Sequence, residues 1–419
     1  MNATETMEAL CLAGRVILEN GGETYRAEDT VRRMARALGL KDADAFAIPS
    51  GLFISFTDEA GERRTSLNRV RLRGTHLSRV DKVNQISRRL TDGLIAPDEL
   101  RDALREAAHI DDNAPLWYVL LAAFVTGGGF AVMFGGGWID LLMGGLCAAL
   151  TQVFPLLLPR DDPSADMACT LVAAVACAFV PLLFFRLTGL GAPETMIAGA
   201  IMPLVPGLSM TNAVQDLMRG DMVSGVAHGA RAVMIAALVA GGTLMGTYLS
   251  GVSGVGTRPA AFSALPFAGQ AAVLAVSSLL AGGAFGALQF AHGRAIVWGG
   301  LLGAAGYLVY WMGMTLGLSE TAAMFAGMLL AALGAQEAAR RLKMIFTVFV
   351  TIAMMPLVPG LGLYRAMRAV AEGDMALGAS QAVHAMALIL MITLGIALAS
   401  TLAGIRRRLG RRPRERKPL

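Results

Sequence analysis

Ten apolar stretches follow one another with only short interruptions, near residues 116–134, 138–158, 167–187, 194–218, 224–249, 267–290, 294–312, 321–336, 343–371 and 380–403. Most are close to the ~20 residues that a helix needs to cross a bilayer. In hydrocarbon every backbone N–H and C=O must be satisfied by the chain itself, which restricts spanning segments to helices or a closed barrel, and runs of this length select helices. The expected fold class is therefore an α-helical polytopic membrane protein of about ten transmembrane helices.

The charge is distributed accordingly. Only 16% of the 419 residues are charged, yet residues 1–113 hold 17 Lys+Arg and 19 Asp+Glu, leaving 19 and 12 for residues 114–419. This predicts a soluble domain over 1–113 followed by a membrane domain. The first apolar run, Ala9–Leu18, is short and contains Arg15, unlike a signal peptide, so the front domain is expected to remain cytoplasmic. The last 14 residues, 406–419, carry eight Lys/Arg against one Glu. They read as a cytoplasmic anchor for anionic membrane lipid rather than a nucleic-acid patch, and a solvated tail that only fixes topology fits equally well. Four cysteines without metal-ligand spacing indicate neither a disulfide framework nor a metal site, and no cofactor motif is present.

The front domain reads as α+β. Val31, Met34, Ala35 and Leu38 form a helical stripe ended by Gly39. Leu52, Ile54 and Phe56 alternate as in a strand, with a partner strand in residues 65–72. Two further helices follow, one with Leu77, Val80, Val83, Ile86 and Leu90 inward, the other opening at Pro97. His76, Ser78 and Asp81 are neighbours in sequence, but a hydrolytic triad is assembled from distant parts of a fold. The Glu-Asn-Gly-Gly-Glu-Thr-Tyr-Arg stretch at 19–26 reads first as a tight interhelical turn.

The heptapeptide Met-Pro-Leu-Val-Pro-Gly-Leu stands at 202–208 and again at 355–361, an offset of 153. Twelve of the 24 positions from 202 to 225 are identical at that offset, which marks a duplication. Five spans, an odd number, separate the copies, so they face opposite sides of the membrane: two five-helix inverted repeats, 114–250 and 267–405, joined by a linker loop at 251–266. Only 13 residues separate Pro193 from Pro206, too short a helix for a ~30 Å core, so the span must continue past a proline break. Two such breaks related by inversion mark a substrate site, with Pro203, Pro206, Gly207, Pro356, Pro359 and Gly360 shaping it.

Residues that differ between the copies are where recognition of an asymmetric small molecule is expected. These are Ser209 against Gly362, Thr211 against Tyr364, and Asn212 against Arg365. Asn212, Gln215, Asp216 and Arg219 form a polar stripe after the first break, and Arg365, Arg368 and Glu372 after the second. An amphipathic helix lying flat at the interface would show the same stripe. Arg365, however, stands on the side disfavoured by the positive-inside bias, and is the expected anchor for a cargo carboxylate, with Ser209, Thr211 and Asn212 donating from the opposite break. His228 with Arg231, and Gln381 with His384, are equivalent pairs inside spans. With Asp216 they are candidates for coupling or for the transport path, the alternative being side chains snorkelling near helix ends.

The front segment (Gly14–Leu40), Pro49–Phe56, Arg73–Leu90 and the repeated break together resemble the threonine/serine exporter family over nearly the whole chain. Gly21, Glu23, Thr24, Arg26, Glu28, Pro49, Gly51, Arg73 and Asn84 match its front pattern, and the six proline and glycine positions match its membrane motif. The usual Thr-Asn-Leu of the front pattern reads Thr75-His76-Leu77 here. The resemblance implies a non-enzymatic inner-membrane secondary exporter of threonine or serine, driven by an ion gradient, and protons are the expected coupling ion. In a split form the family is linked to succinate export, so a C4 dicarboxylate is the alternative cargo. A membrane-anchored hydrolase with its activity in the front domain is the rival of another class. Expected partners are the small-molecule cargo, membrane lipid and, optionally, further copies of the chain.

Overall fold

The computed structural model describes residues 2–58, 60–71, 74–110, 114–157, 163–252 and 259–410. The front segment runs α1 (Ala3–Glu19), α2 (Thr24–Ala37), β1 (Lys41–Ile48), β2 (Gly51–Thr57), β3 (Arg63–Arg69), α3 (Leu77–Thr91) and α4 (Pro97–Ala108). Its strands form an antiparallel sheet in the order β1-β2-β3. β1 was not foreseen: its Ala- and Asp-containing sequence has only Phe46 and Ile48 as strand formers, and pairing with β2 supplies its order. The predicted inward positions are buried, with Leu52 at 0%, Ile54 at 1% and Phe56 at 0% exposure.

The helices that follow are α5 (Leu116–Met133), α6 (Trp138–Thr151), α7 (Phe154–Leu157), α8 (Pro163–Thr188), α9 (Pro193–Ile201), α10 (Gly207–Met218), α11 (Met222–Ser250), α12 (Phe267–Leu288), α13 (Gly293–Thr315), α14 (Glu320–Leu342), α15 (Phe346–Met354), α16 (Gly360–Ala371) and α17 (Met375–Gly410). Among the described residues, eight helices are long and apolar enough to cross a membrane, or ten if each of two bent pairs is counted as one span. The chain is thus a mostly helical, polytopic membrane protein. α17 continues to Gly410, past the boundary expected at 405, while residues 411–419 and the middle of the expected linker lie outside the described residues.

Both copies of the heptapeptide fold alike. A 3-10 turn carries Met202–Leu204 and Met355–Leu357, one extended residue follows (Val205, Val358), and a new helix starts after Pro206 or Pro359. The bends are 55° and 52°. Less of the backbone is unwound than the two prolines imply, because i→i+3 bonds carry it through the first part of each break: Val205 N–H donates to Met202 O at 3.3 Å and Val358 N–H to Met355 O at 3.2 Å.

Glycines set how closely the helices approach. A Cβ on Gly242 or Gly246 of α11 would strike the α8 backbone, and a Cβ on Gly286 or Gly299 would strike Ile352 of α15. At the α13–α14 crossing, a Cβ on Gly327 would press on Gly306 O, a backbone atom that cannot turn aside. Gly327→Ala is expected to destabilise the protein by about 1–3 kcal/mol through overpacking, read as a lowered thermal midpoint in detergent.

Candidate functional site

The front segment is docked on one face of the helical body. Leu77 N–H donates to Gln289 O at 3.0 Å and the Ser78 hydroxyl to Phe290 O at 2.5 Å, both on the α12–α13 turn. His76 stacks on Phe290 with ring centroids 4.7 Å apart. Asp81 accepts from Ile345 N–H at 3.0 Å on the α14–α15 turn. Burial pushes the Asp81 carboxyl up, and the hydrogen bonds from Ile345 and Gln85 oppose this. The three residues that mimic a hydrolytic cluster in sequence are therefore turned toward the helical body, where they form its docking contacts.

The start of α2 reaches both bent pairs. The Arg219 guanidinium, at the C-terminal cap of the first pair, lies 3.4 Å from the Tyr25 ring centroid, and the Thr24 hydroxyl donates at 3.0 Å to Oδ2 of Asp221, the N-cap of α11 that follows. At the start of the second pair, Thr347 Oγ1 donates to Glu23 Oε1 at 2.7 Å and accepts from Arg26 Nη2 at 2.5 Å. Glu23 and Arg26 pair at 2.8 Å. Burial alone would raise the Glu23 carboxyl, but Arg26 and Thr347 hold it below the usual carboxylate range. Of the positions matching the front pattern, Gly21, Glu23, Thr24, Arg26 and Pro49 all lie at this seam, and Arg73 lies outside the described residues.

The two breaks meet in the middle of the helical body. A Cβ on Gly207 would touch the Val358 side chain, and one on Gly360 would run into the Met202 sulfur. Each glycine thus leaves the space that a residue of the other break fills. Pro356 of the second break packs against Gly282 and Gly303.

Two cavities flank this crossing on opposite faces. The first, of about 90 Å³, lies under the front segment and is lined by Ser209, Asn212, Ala227, His228 and Arg231 on one side and Gly21, Gly22, Pro49 and Thr75 on the other. The second, of about 530 Å³, lies toward the α13–α14 turn and is lined by Pro356, Pro359 and Gly360 of the break, by Gly362, Arg365, Ser380, Gln381 and His384, and by Met133, Tyr307, Tyr310 and Glu320. Five positions of one lining correspond to five of the other at the offset of 153: Ser209 with Gly362, Asn212 with Arg365, Ala227 with Ser380, His228 with Gln381, and Arg231 with His384.

The polar candidates therefore divide into two sets. Ser209 and Asn212 face the smaller cavity, and Arg365 the larger. Thr211 is buried and donates to Gly207 O at 3.0 Å, and Tyr364 is buried in the core around the breaks. Pro203 belongs to the 3-10 turn of the first break, and Pro206 caps α10. Asp216 is buried, its Oδ2 lying 4.0 Å from His228 Nε2. Arg365 Nε donates to Glu194 Oε1 at 2.8 Å, and Glu194 is 8% exposed at the start of α9. His384 Nε2 meets Glu320 Oε2 at 2.8 Å, while the Tyr310 hydroxyl donates to Glu320 Oε1 at 3.0 Å. Glu194 and Glu320 were missed in the sequence. The one available signal is that each is an acid in the first turn of a spanning helix, a position that helix-dipole stabilisation alone accounts for.

A family model for threonine/serine exporters matches residues 8–250, and a second, described as "Threonine/Serine exporter, ThrE", matches residues 274–402. A "Probable threonine/serine exporter" of Mycobacterium tuberculosis is 24% identical over 96% of this chain and 77% of its own length. A "Threonine/serine exporter" of Corynebacterium glutamicum is 24% identical over 96% of this chain and 82% of its own. The "Probable succinate transporter subunit YjjP" of Escherichia coli is 24% identical over 58% of this chain and 95% of its own. No solved structure matches.

Proposed function

The chain belongs to the threonine/serine exporter family, and on that premise we propose that it is a secondary exporter of small carboxylate-bearing metabolites, threonine or serine first, coupled to the proton gradient. The observation that carries this reading is the pair of cavities: each is lined by one broken span, they flank the crossing of the two breaks, and equivalent residues line them. An alternating-access carrier needs this arrangement, and inverted repeats with broken helices at mid-membrane supply it. The reading divides the chain into a cytoplasmic α+β domain (1–113), repeat one (114–250), a linker (251–266), repeat two (267–405) and a basic tail (406–419). It places the chain in the bacterial inner membrane with both termini cytoplasmic. The front segment then caps the cytoplasmic face, and the larger cavity is open to the outside.

In this scheme Arg365 binds the cargo carboxylate, Ser209 and Asn212 bind cargo at the cytoplasmic side, and His228, Asp216, Arg231, Gln381 and His384 line the path of cargo and protons. A C4 dicarboxylate is the second cargo, favoured by the succinate-transporter relative. Purified protein in liposomes is expected to move labelled threonine against its gradient when a pH difference is imposed, with serine competing. Competition by succinate but not serine would select the second cargo. Movement of neither, by protein shown to be folded, would overturn the exporter reading for these substrates.

A further inference from the structure

Resting on the exporter reading, we propose that the front segment forms the roof of the cytoplasmic cargo-loading site, and that its Glu23–Arg26 stretch is a latch that must release both broken spans before a small amino acid or carboxylate can enter. The two cavities have equivalent linings on the side of the helical body, yet differ about sixfold in volume, 90 against 530 Å³. The difference coincides with the front segment, which closes the smaller cavity with the Gly21–Gly22 turn and Thr75 and has no counterpart among the described residues at the larger.

The turn is built for close approach. Gly21 has φ +80°, and a Cβ on Gly22 would lie 2.8 Å from Ile17 O, so neither position accepts a side chain and the turn stays tight against α1 and Thr75. The walls suit a small hydroxylated amino acid. Arg231 and His228 offer positive or donor groups for a carboxylate, and Ser209, Asn212 and Thr75 offer hydrogen bonds for hydroxyl and ammonium groups.

The latch is one short piece of chain touching both bent pairs: Tyr25 holds the end of the first at Arg219 and Thr24 the turn that leaves it at Asp221, while Glu23 and Arg26 hold the start of the second at Thr347. While these contacts stand, the cytoplasmic ends of the two pairs are tied together. The contacts are polar, so water can replace them when the latch opens, unlike an apolar seam. The α3 contacts to Gln289 and Phe290 on the α12–α13 turn are separate from the latch and can keep the front segment attached as it swings.

The test labels a cysteine placed in the cavity by Ser209→Cys, using a small water-soluble thiol reagent applied to the cytoplasmic face of inside-out vesicles. The four native cysteines are buried and give a low background. Removing latch contacts with Thr24→Val and Thr347→Val is expected to speed labelling about tenfold, as the loss of hydrogen bonds of ordinary strength predicts. In a second background, Thr24→Cys with Asp221→Cys, cross-linking is expected to suppress labelling at 209 and, in the same pair with Ser209 intact, export, and reduction to restore both. Unchanged labelling in the latch variants, or labelling as fast in the cross-linked protein as in the reduced one, overturns the proposal. Because labelling needs no cargo, it is read even if threonine and succinate are not transported, an outcome that would count against the exporter reading alone.

Discussion

Arg365→Gln is expected to lower transport of carboxylate-bearing cargo by roughly 30- to 150-fold, the loss of about 2–3 kcal/mol that follows from removing a charge-assisted contact in a partly desolvated site. Arg365 lines the larger cavity beside the second break, where its guanidinium is already held by Glu194 from the first bent pair. A cation positioned by a fixed carboxylate is ready to exchange that partner for the carboxylate of a cargo. Glu194→Gln separates this role from a structural one. If Arg365 serves the cargo, freeing it from Glu194 raises apparent affinity, so KM falls while Arg365→Gln raises it. If the ion pair only clips α9 to α16, both substitutions impair the protein alike. Arg365→Lys should recover part of the loss, since the ammonium keeps the charge but not the planar fork. Near-normal transport by Arg365→Gln would make the arginine an interfacial anchor and favour a flat amphipathic helix for α16.

The spans and breaks were legible because they are local. Each apolar run carries its own length requirement, and the paired prolines, Pro203 with Pro206 and Pro356 with Pro359, break the helix where the lone Pro181 of α8 does not. The inward faces of β2 and α3 were equally readable from periods of 2 and 3.6. What pairs with what was not. Glu194 is 171 residues from Arg365 and Glu320 is 64 from His384, and only the packing of α9 against α16 and of α14 against α17 brings them together. The same limit governs the division of the site. Equivalence in the repeat put Ser209 and Asn212 in one group with Arg365, whereas their helices leave the crossing toward opposite faces and give them separate cavities. The Glu-Thr-Tyr-Arg stretch looked like a turn because its partners, Asp221, Arg219 and Thr347, belong to distant helices.

Glu320→Gln is expected to uncouple transport from the pH gradient. With one proton exchanged per cargo molecule, a one-unit pH difference sustains about a tenfold concentration ratio, since both correspond to about 1.4 kcal/mol. The variant should let that ratio fall to about one while still permitting downhill exchange of labelled for unlabelled cargo. The reason lies in the larger cavity, where Glu320 is held between His384 and the Tyr310 hydroxyl, with Arg365 and its partner Glu194 the other charged groups at hand. A carboxylate and an imidazole in contact can share and pass a proton, and a cavity open to the proton-rich side gives that proton a way in. Glutamine keeps the size of Glu320 and one acceptor oxygen for the Tyr310 hydroxyl, but cannot take up the proton. His384→Gln should give the same uncoupled exchange, whereas Tyr310→Phe, which removes a single donor to Glu320, should leave the concentration ratio largely intact. A Glu320→Gln protein that still holds a tenfold ratio would show that the pair only fastens α14 to α17, and the coupling group would then be sought at Asp216 and His228 beneath the front segment.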